Sequence, residues 1–128
     1  MERACRASGA AAVDRAGDGP VRDELWRVRR ELSPALKQIA TCKLNNDVVV
    51  PRARIPALFE VIARLRRTSG LPIPAFGHAG DGNIHVNILV PDPADAGALA
   101  RAQAAERELF EAVRALTRTP WLQSATPP

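Results

Sequence analysis

The sequence predicts an α+β fold, and three observations carry that prediction. Asp47-Val48-Val49-Val50 has the β-branched density of a buried strand. Ile84, Val86, Ile88 and Val90 alternate with His85, Asn87 and Leu89, the period-two pattern of a strand with two unlike faces. Ile55, Leu58, Phe59, Ile62 and Leu65, and later Leu99, Ala102, Ala105, Leu109, Val113 and Leu116, recur at the three- and four-residue steps of amphipathic helices. From Lys43 onward the order is strand, helix, strand, strand, helix. That is a ferredoxin-like antiparallel sheet with helices on one face, its final strand missing.

Residues 1–20 form an Ala/Gly-rich, weakly ordered lead, with a helical piece at Glu2 to Arg6, a short strand at Ala11 to Arg15 and a turn at Gly17-Asp18-Gly19-Pro20. A helix starts at Val21, with Leu25, Val28, Leu32, Leu36 and Ile39 on one stripe. Ser33-Pro34 is expected to break it, because Ser is a good N-cap and Pro suits the first helical position; a second short helix then runs from Pro34 to about Ile39. Lys43 to Val50 reads as a strand ended by Pro51, and the next helix runs from Ile55 to Ser69 with Gly70 as its stop. Two apolar runs, Leu71 to Phe76 and Ile84 to Val90, flank a glycine-rich turn, and Pro91-Asp92-Pro93-Ala94-Asp95 opens a last helix ending near Arg118 or Thr119. The remaining residues, with Pro120, Pro127 and Pro128, are poor strand material and make 118–128 a divergent tail.

Composition bounds the function. The chain has 128 residues, enough for one small domain and one core, and 46% are hydrophobic without any run long enough to span a membrane. Met1 to Pro20 lacks the compact apolar block of a secretory signal, which points to the cytoplasm. Cys5 and Cys42 fall in no ligand or disulfide spacing. A net charge of +4 raises the question of nucleic acid. Yet Arg52, Arg54, Arg64, Arg66, Arg67, Arg101, Arg107 and Arg114 are spread over several elements, and two Trp and three Phe give no aromatic interleaving, so most read as solvated surface and no nucleic-acid partner is expected.

The chemistry concentrates in Gly77-His78-Ala79-Gly80-Asp81-Gly82-Asn83-Ile84-His85-Val86-Asn87, which holds both histidines of the protein. Asp81-Gly82 is a strong type I′ hairpin signal. With those two residues at the turn centre, His78 lies directly opposite His85, and cross-strand imidazoles at that spacing suit one zinc-like ion. The alternative is a pair of ordinary hairpin residues, and the convergence of the only two histidines on one hairpin weighs against it.

Three stretches in matching order carry a family resemblance: Leu25-Trp26-Arg27-Val28-Arg29-Arg30-Glu31-Leu32-Ser33-Pro34-Ala35-Leu36, Lys43-Leu44-Asn45-Asn46-Asp47-Val48-Val49-Val50-Pro51, and the glycine–histidine hairpin. Over residues 2–117 the chain resembles the C-terminal cap of FAD-linked 2-hydroxy-acid dehydrogenases, the family of glycolate oxidases and D-lactate dehydrogenases. The resemblance implies a partial cap domain at 21–117 that completes a substrate site over a flavin bound by an N-terminal domain missing here. It implies His78 and His85 as metal ligands, Asn87 as a substrate contact, and Arg29, Ser33 and Lys43 as donors to the substrate carboxylate. Such donors make a strong carboxylate clamp, although Ser33 taken alone reads as an N-cap and Arg29 and Lys43 as exposed cations. It also implies that Gly80, Asp81, Gly82 and Asn83 form a loop near the flavin.

The family reaction passes hydride from the α-carbon to FAD while a metal polarises the 2-hydroxyl. The family's Glu-His pair, which supplies the base and a third ligand, has no match after Ala115-Leu116, where the chain continues Thr117-Arg118-Thr119. No catalytic base is therefore assigned, zinc would be weakly held, and Asp81 is a poor substitute ligand because of its turn role. The implied partners are a 2-hydroxy acid, an FAD-domain chain and electron-transfer subunits, which would place the protein at the periphery of the inner membrane. Two other readings stand beside this one: a non-catalytic module docking on a separate FAD-domain chain through an unpaired sheet edge, and an inactive remnant.

Overall fold

The structure is a computed structural model that describes residues 2–118. The chain divides into two compact units, residues 1–36 and 37–128.

The first unit holds helix α1, Glu2–Ala7, and most of helix α2, Pro20–Ile39. The residues between them, including the expected strand at Ala11 to Arg15, have no regular structure. The break expected at Ser33-Pro34 is also overturned. Helix α2 is continuous, with Pro34 inside it and Ser33 in its interior rather than at a cap. Pro34 has no N–H for the Arg30 carbonyl, a loss of about 3 kcal/mol in a helix interior. Stopping there would strand four carbonyls and four N–H groups at two new ends, and Glu31-Leu32 and Ala35-Leu36-Lys37-Gln38 are good helix formers. On the exposed side Arg27 bridges Glu24 at 2.6 Å and Glu31 at 3.0 Å. The hydrogen bond from the Arg27 guanidinium holds the Glu24 carboxyl below its ordinary value.

The second unit contains β1 (Cys42–Val49), a 3₁₀ turn (Arg52–Arg54), α3 (Ile55–Ser69), β2 (Ala75–His78), β3 (Asn83–Val90) and α4 (Ala96–Thr117). Among the described residues the sheet has three strands in the order β1-β3-β2, and both pairings are antiparallel. Helices α3 and α4 pack on one face, where Ile84, Val86, Ile88 and Val90 meet Leu58, Ile62, Leu65, Ala102 and Leu109. Burying such side chains contributes about 1.5–3 kcal/mol each before entropy is counted. The α+β class and the antiparallel sheet with helices on one face are as the periodicities predict.

Strand β2 starts four residues later than expected. Pro72 and Pro74 lie where the run would pair with Leu89 and Asn87. Their carbonyls accept the Leu89 and Asn87 N–H groups at 3.0 Å, but proline has no N–H to return, so the two-way ladder forms only from Ala75. Two arginines, exposed as expected, also fix the approach to β2. Arg66 donates to the Ile73 carbonyl at 2.8 and 2.5 Å, and Arg101 donates to the Ser69 carbonyl at 3.1 Å. Helix α3 ends at Gly70, whose φ of 69° is the left-handed C-cap conformation.

Helix α4 is capped by Asp95, whose carboxylate accepts the Ala98 N–H at 2.9 Å. Asp95→Ala is expected to lower stability by about 1 kcal/mol, read as a lower urea midpoint at unchanged slope. A midpoint equal to that of the parent chain would refute the cap.

Candidate functional site

Strand parity sets the site. With the even-numbered side chains of β3 turned to the helices, Asn83, His85, Asn87 and Leu89 occupy the opposite face. The register places Val49, Asp47, Asn45 and Lys43 of β1 beside them. On the other side β3 meets β2, with Phe76 opposite His85 and His78 opposite Asn83.

That last pairing corrects the hairpin. The expected two-residue type I′ turn would have put His78 opposite His85. Instead the connection is the four-residue loop Ala79–Gly82, because only Gly82 takes a positive φ, 80°, and Asp81 does not. The Gly82 and Asp81 N–H groups both reach the His78 carbonyl, at 3.0 and 3.3 Å. Asp81 turns its carboxylate onto the Asn83 N–H at 3.0 Å, an Asx turn that employs it locally. His78 and His85 are consequently diagonal neighbours on one face, with ring centres 5.8 Å apart in an edge-to-face arrangement. Phe76 sits against His85 from the other side at 5.6 Å.

Two polar contacts complete the cluster. Asp47 Oδ1 lies 2.5 Å from His85 Nδ1. Lys43 Nζ donates to Asn87 Oδ1 at 3.4 Å. Asn87 is fully buried, and its Nδ2 has no hydrogen-bond partner. Since the ammonium is a donor only, it fixes the amide with Oδ1 toward Lys43 and Nδ2 away from it. Arg29 and Ser33 belong to the first unit, one turn apart on the same face of α2.

Asp47 is the member that sequence reasoning missed as a site residue. It stands 38 residues from His85, and only the β1–β3 register makes them neighbours. A weak signal was present: an acidic residue is an unusual choice beside Val48-Val49-Val50.

A family model described as FAD linked oxidases, C-terminal domain, matches residues 1–118. The chain belongs to this family. Glycolate oxidase subunit GlcD of Escherichia coli K12 is 35% identical over 104 residues, covering 81% of this chain and 21% of that protein. D-2-hydroxyglutarate dehydrogenase of Stutzerimonas stutzeri is 36% identical over 73 residues, 56% of this chain and 15% of that protein. A probable mitochondrial D-lactate dehydrogenase of Danio rerio is 28% identical over 120 residues, 92% and 24% of the two chains. The chain therefore spans about a fifth of the length of these curated relatives.

The residues of this FAD-linked oxidase domain can be tested against the groups its family implies. Two imidazole nitrogens about 2.0–2.1 Å from one ion place their ring centres about 5–6.5 Å apart, and the 5.8 Å between His78 and His85 lies in that range. Among the described residues, however, no three His, Cys, Asp or Glu side chains converge to hold a metal. The fit is to two ligands of a site and no further. For the flavin, the loop offers Gly80, where no atom of the chain lies within 4 Å of an added Cβ and no positive φ demands glycine. Nothing within the chain requires that bare backbone, which leaves room for a second molecule to approach. No helix among the described residues is long and apolar enough to cross a membrane.

Proposed function

We propose that this domain forms the substrate-facing wall of a flavin-dependent 2-hydroxy-acid oxidoreductase, acting on small acids of the glycolate and D-lactate type together with an FAD-binding part. The observation that carries this reading is Asn87. A buried amide N–H left without an acceptor costs about 1–3 kcal/mol, and the oxygen of the same amide accepts from a lysine ammonium on the sheet face away from the core. An oxygen-rich anion supplies the acceptor that this N–H lacks and a negative charge for the ammonium. Lys43 takes the carboxylate, and Asn87 Nδ2 donates to a carboxylate or hydroxyl oxygen. His78 and His85 serve as two ligands of a divalent ion, zinc by ligand type. Held there, such an ion would supply Lewis-acid polarisation of the 2-hydroxyl, and the FAD-binding part would supply the hydride acceptor. This chain's own residues bind and orient the acid.

Titrating the ¹⁵N-labelled chain with glycolate or D-lactate tests this. The Asn87 side-chain NH₂ resonance is expected to shift saturably, and the shift should vanish in Asn87→Val. Acetate, which lacks the hydroxyl, should bind more weakly. If neither 2-hydroxy acid moves that resonance, the substrate reading fails.

A further inference from the structure

We infer that Asp47 is a positioning residue that fixes the tautomer of His85, holding the proton on Nδ1 and presenting the Nε2 lone pair to the site face. The importance of this tautomer rests on the reading of His85 as a ligand given above; the tautomer itself stands on geometry alone. Asp47 and His85 are direct cross-strand partners, and Asp47 Oδ1 lies 2.5 Å from His85 Nδ1. A carboxylate only accepts, so this contact requires the proton on Nδ1 and leaves Nε2 as the basic nitrogen.

Three contacts then hold one ring. Asp47 takes its Nδ1 edge, Phe76 packs tilted against it at 5.6 Å, and His78 meets it edge-to-face at 5.8 Å. The His85 side chain keeps 22% of its exposure, so the ring is immobilised without being sealed from a ligand. An imidazole fixed in this way loses little orientational freedom on binding a cation. The carboxylate behind it also makes Nε2 a stronger donor, an arrangement whose loss typically costs 10–100-fold in metal affinity. Asp47 therefore acts behind His85, on the ring nitrogen that faces away from the ligand. That differs from the third-ligand role, which the geometry does not give it.

The test uses the full chain without metal, above the pH range in which imidazole is charged. Long-range ¹H–¹⁵N correlations of the His85 ring are expected to show Nδ1 protonated and Nε2 bare in the parent chain. In Asp47→Leu the proton should move predominantly to Nε2, while the His78 pattern stays as it was. Asp47→Asn, of nearly the same shape, keeps the readout available if the leucine variant misfolds, and it should give a mixture because its Oδ1 still accepts from Nδ1. A parent spectrum with the proton on Nε2, or one unchanged by both substitutions, overturns the proposal. Titration with Zn²⁺ and Mg²⁺ separates it from the ligand reading. Zinc affinity should fall about 10–100-fold in Asp47→Leu, with magnesium silent throughout. A parent chain with the Nδ1 tautomer that binds no zinc would uphold the Asp47 assignment and refute the metal role of His78 and His85.

Discussion

Gly82→Val is expected to destabilise the second unit by more than about 3 kcal/mol, a large share of the total stability of a domain, which is of the order of 5–15 kcal/mol. Gly82 has φ 80°, a region that costs an ordinary residue about 1–2 kcal/mol and a β-branched one more. A Cβ at this position would also run into the Val50 carbonyl oxygen, which is backbone and cannot rotate away. Relieving that collision moves the loop off the end of β1, which breaks the 3.1 Å bond from the Val50 N–H to the Gly82 carbonyl, worth about another 1 kcal/mol. Gly80→Ala is the matched control. Gly80 has neither a positive φ nor a neighbour within 4 Å, so its substitution should change stability by less than about 0.5 kcal/mol. Urea unfolding of the two variants checks this, and equal midpoints would show that the loop is not held as described.

The same loop shows why part of the site could be read from residues and part could not. Asp81-Gly82 predicts a type I′ centre, which pairs His78 with His85. The observed four-residue loop pairs His78 with Asn83, a register two residues away. A slip of one would have turned every side chain to the wrong face, but a slip of two preserves the faces. So the division of β3 into an apolar face and a histidine–asparagine face survived the wrong turn. Only the diagonal relation of the imidazoles, and Phe76 as the neighbour opposite His85, were lost.

Misreadings elsewhere have equally specific causes. At Ser33-Pro34 a local capping preference lost to the cost of ending a helix twice. At Leu71 to Phe76 the apolar run was recognised, but proline's missing donor moved the start of the ladder to Ala75. Helix α3 matches its expected bounds because its stripe is long and Gly70 marks its end, whereas the stretch 91–95 fixes the start of α4 only to within a few residues, Asp95 proving to be the cap. Asp47 offers only its odd place beside three valines, which names no partner. Its partner is chosen by the β1–β3 register, a contact between distant segments that no periodicity within either strand reports.

Lys43→Met is expected to weaken glycolate binding about 30–100-fold while leaving the fold intact, since Lys43 is only half-buried and methionine preserves the packing of its stem. Two effects act together. The ammonium supplies a charge-assisted hydrogen bond to the carboxylate, of about 1.5–3 kcal/mol. It also orients the Asn87 amide through the 3.4 Å contact to Oδ1, and without it the amide is free to turn its oxygen toward the anion. The two are separable by ligand chemistry. Glycolamide keeps the 2-hydroxyl and loses the negative charge, so it depends on the amide's orientation but not on the charge of Lys43. If the lysine acts chiefly on the carboxylate, Lys43→Met should leave glycolamide binding within about threefold of the parent chain while glycolate binding collapses. If the two ligands lose affinity equally, Lys43 works by holding Asn87, and the carboxylate must be bound elsewhere. Lys43→Arg sharpens the comparison. It retains the charge but replaces a compact point donor with a planar fork, so glycolate affinity should recover partly and glycolamide affinity should not change.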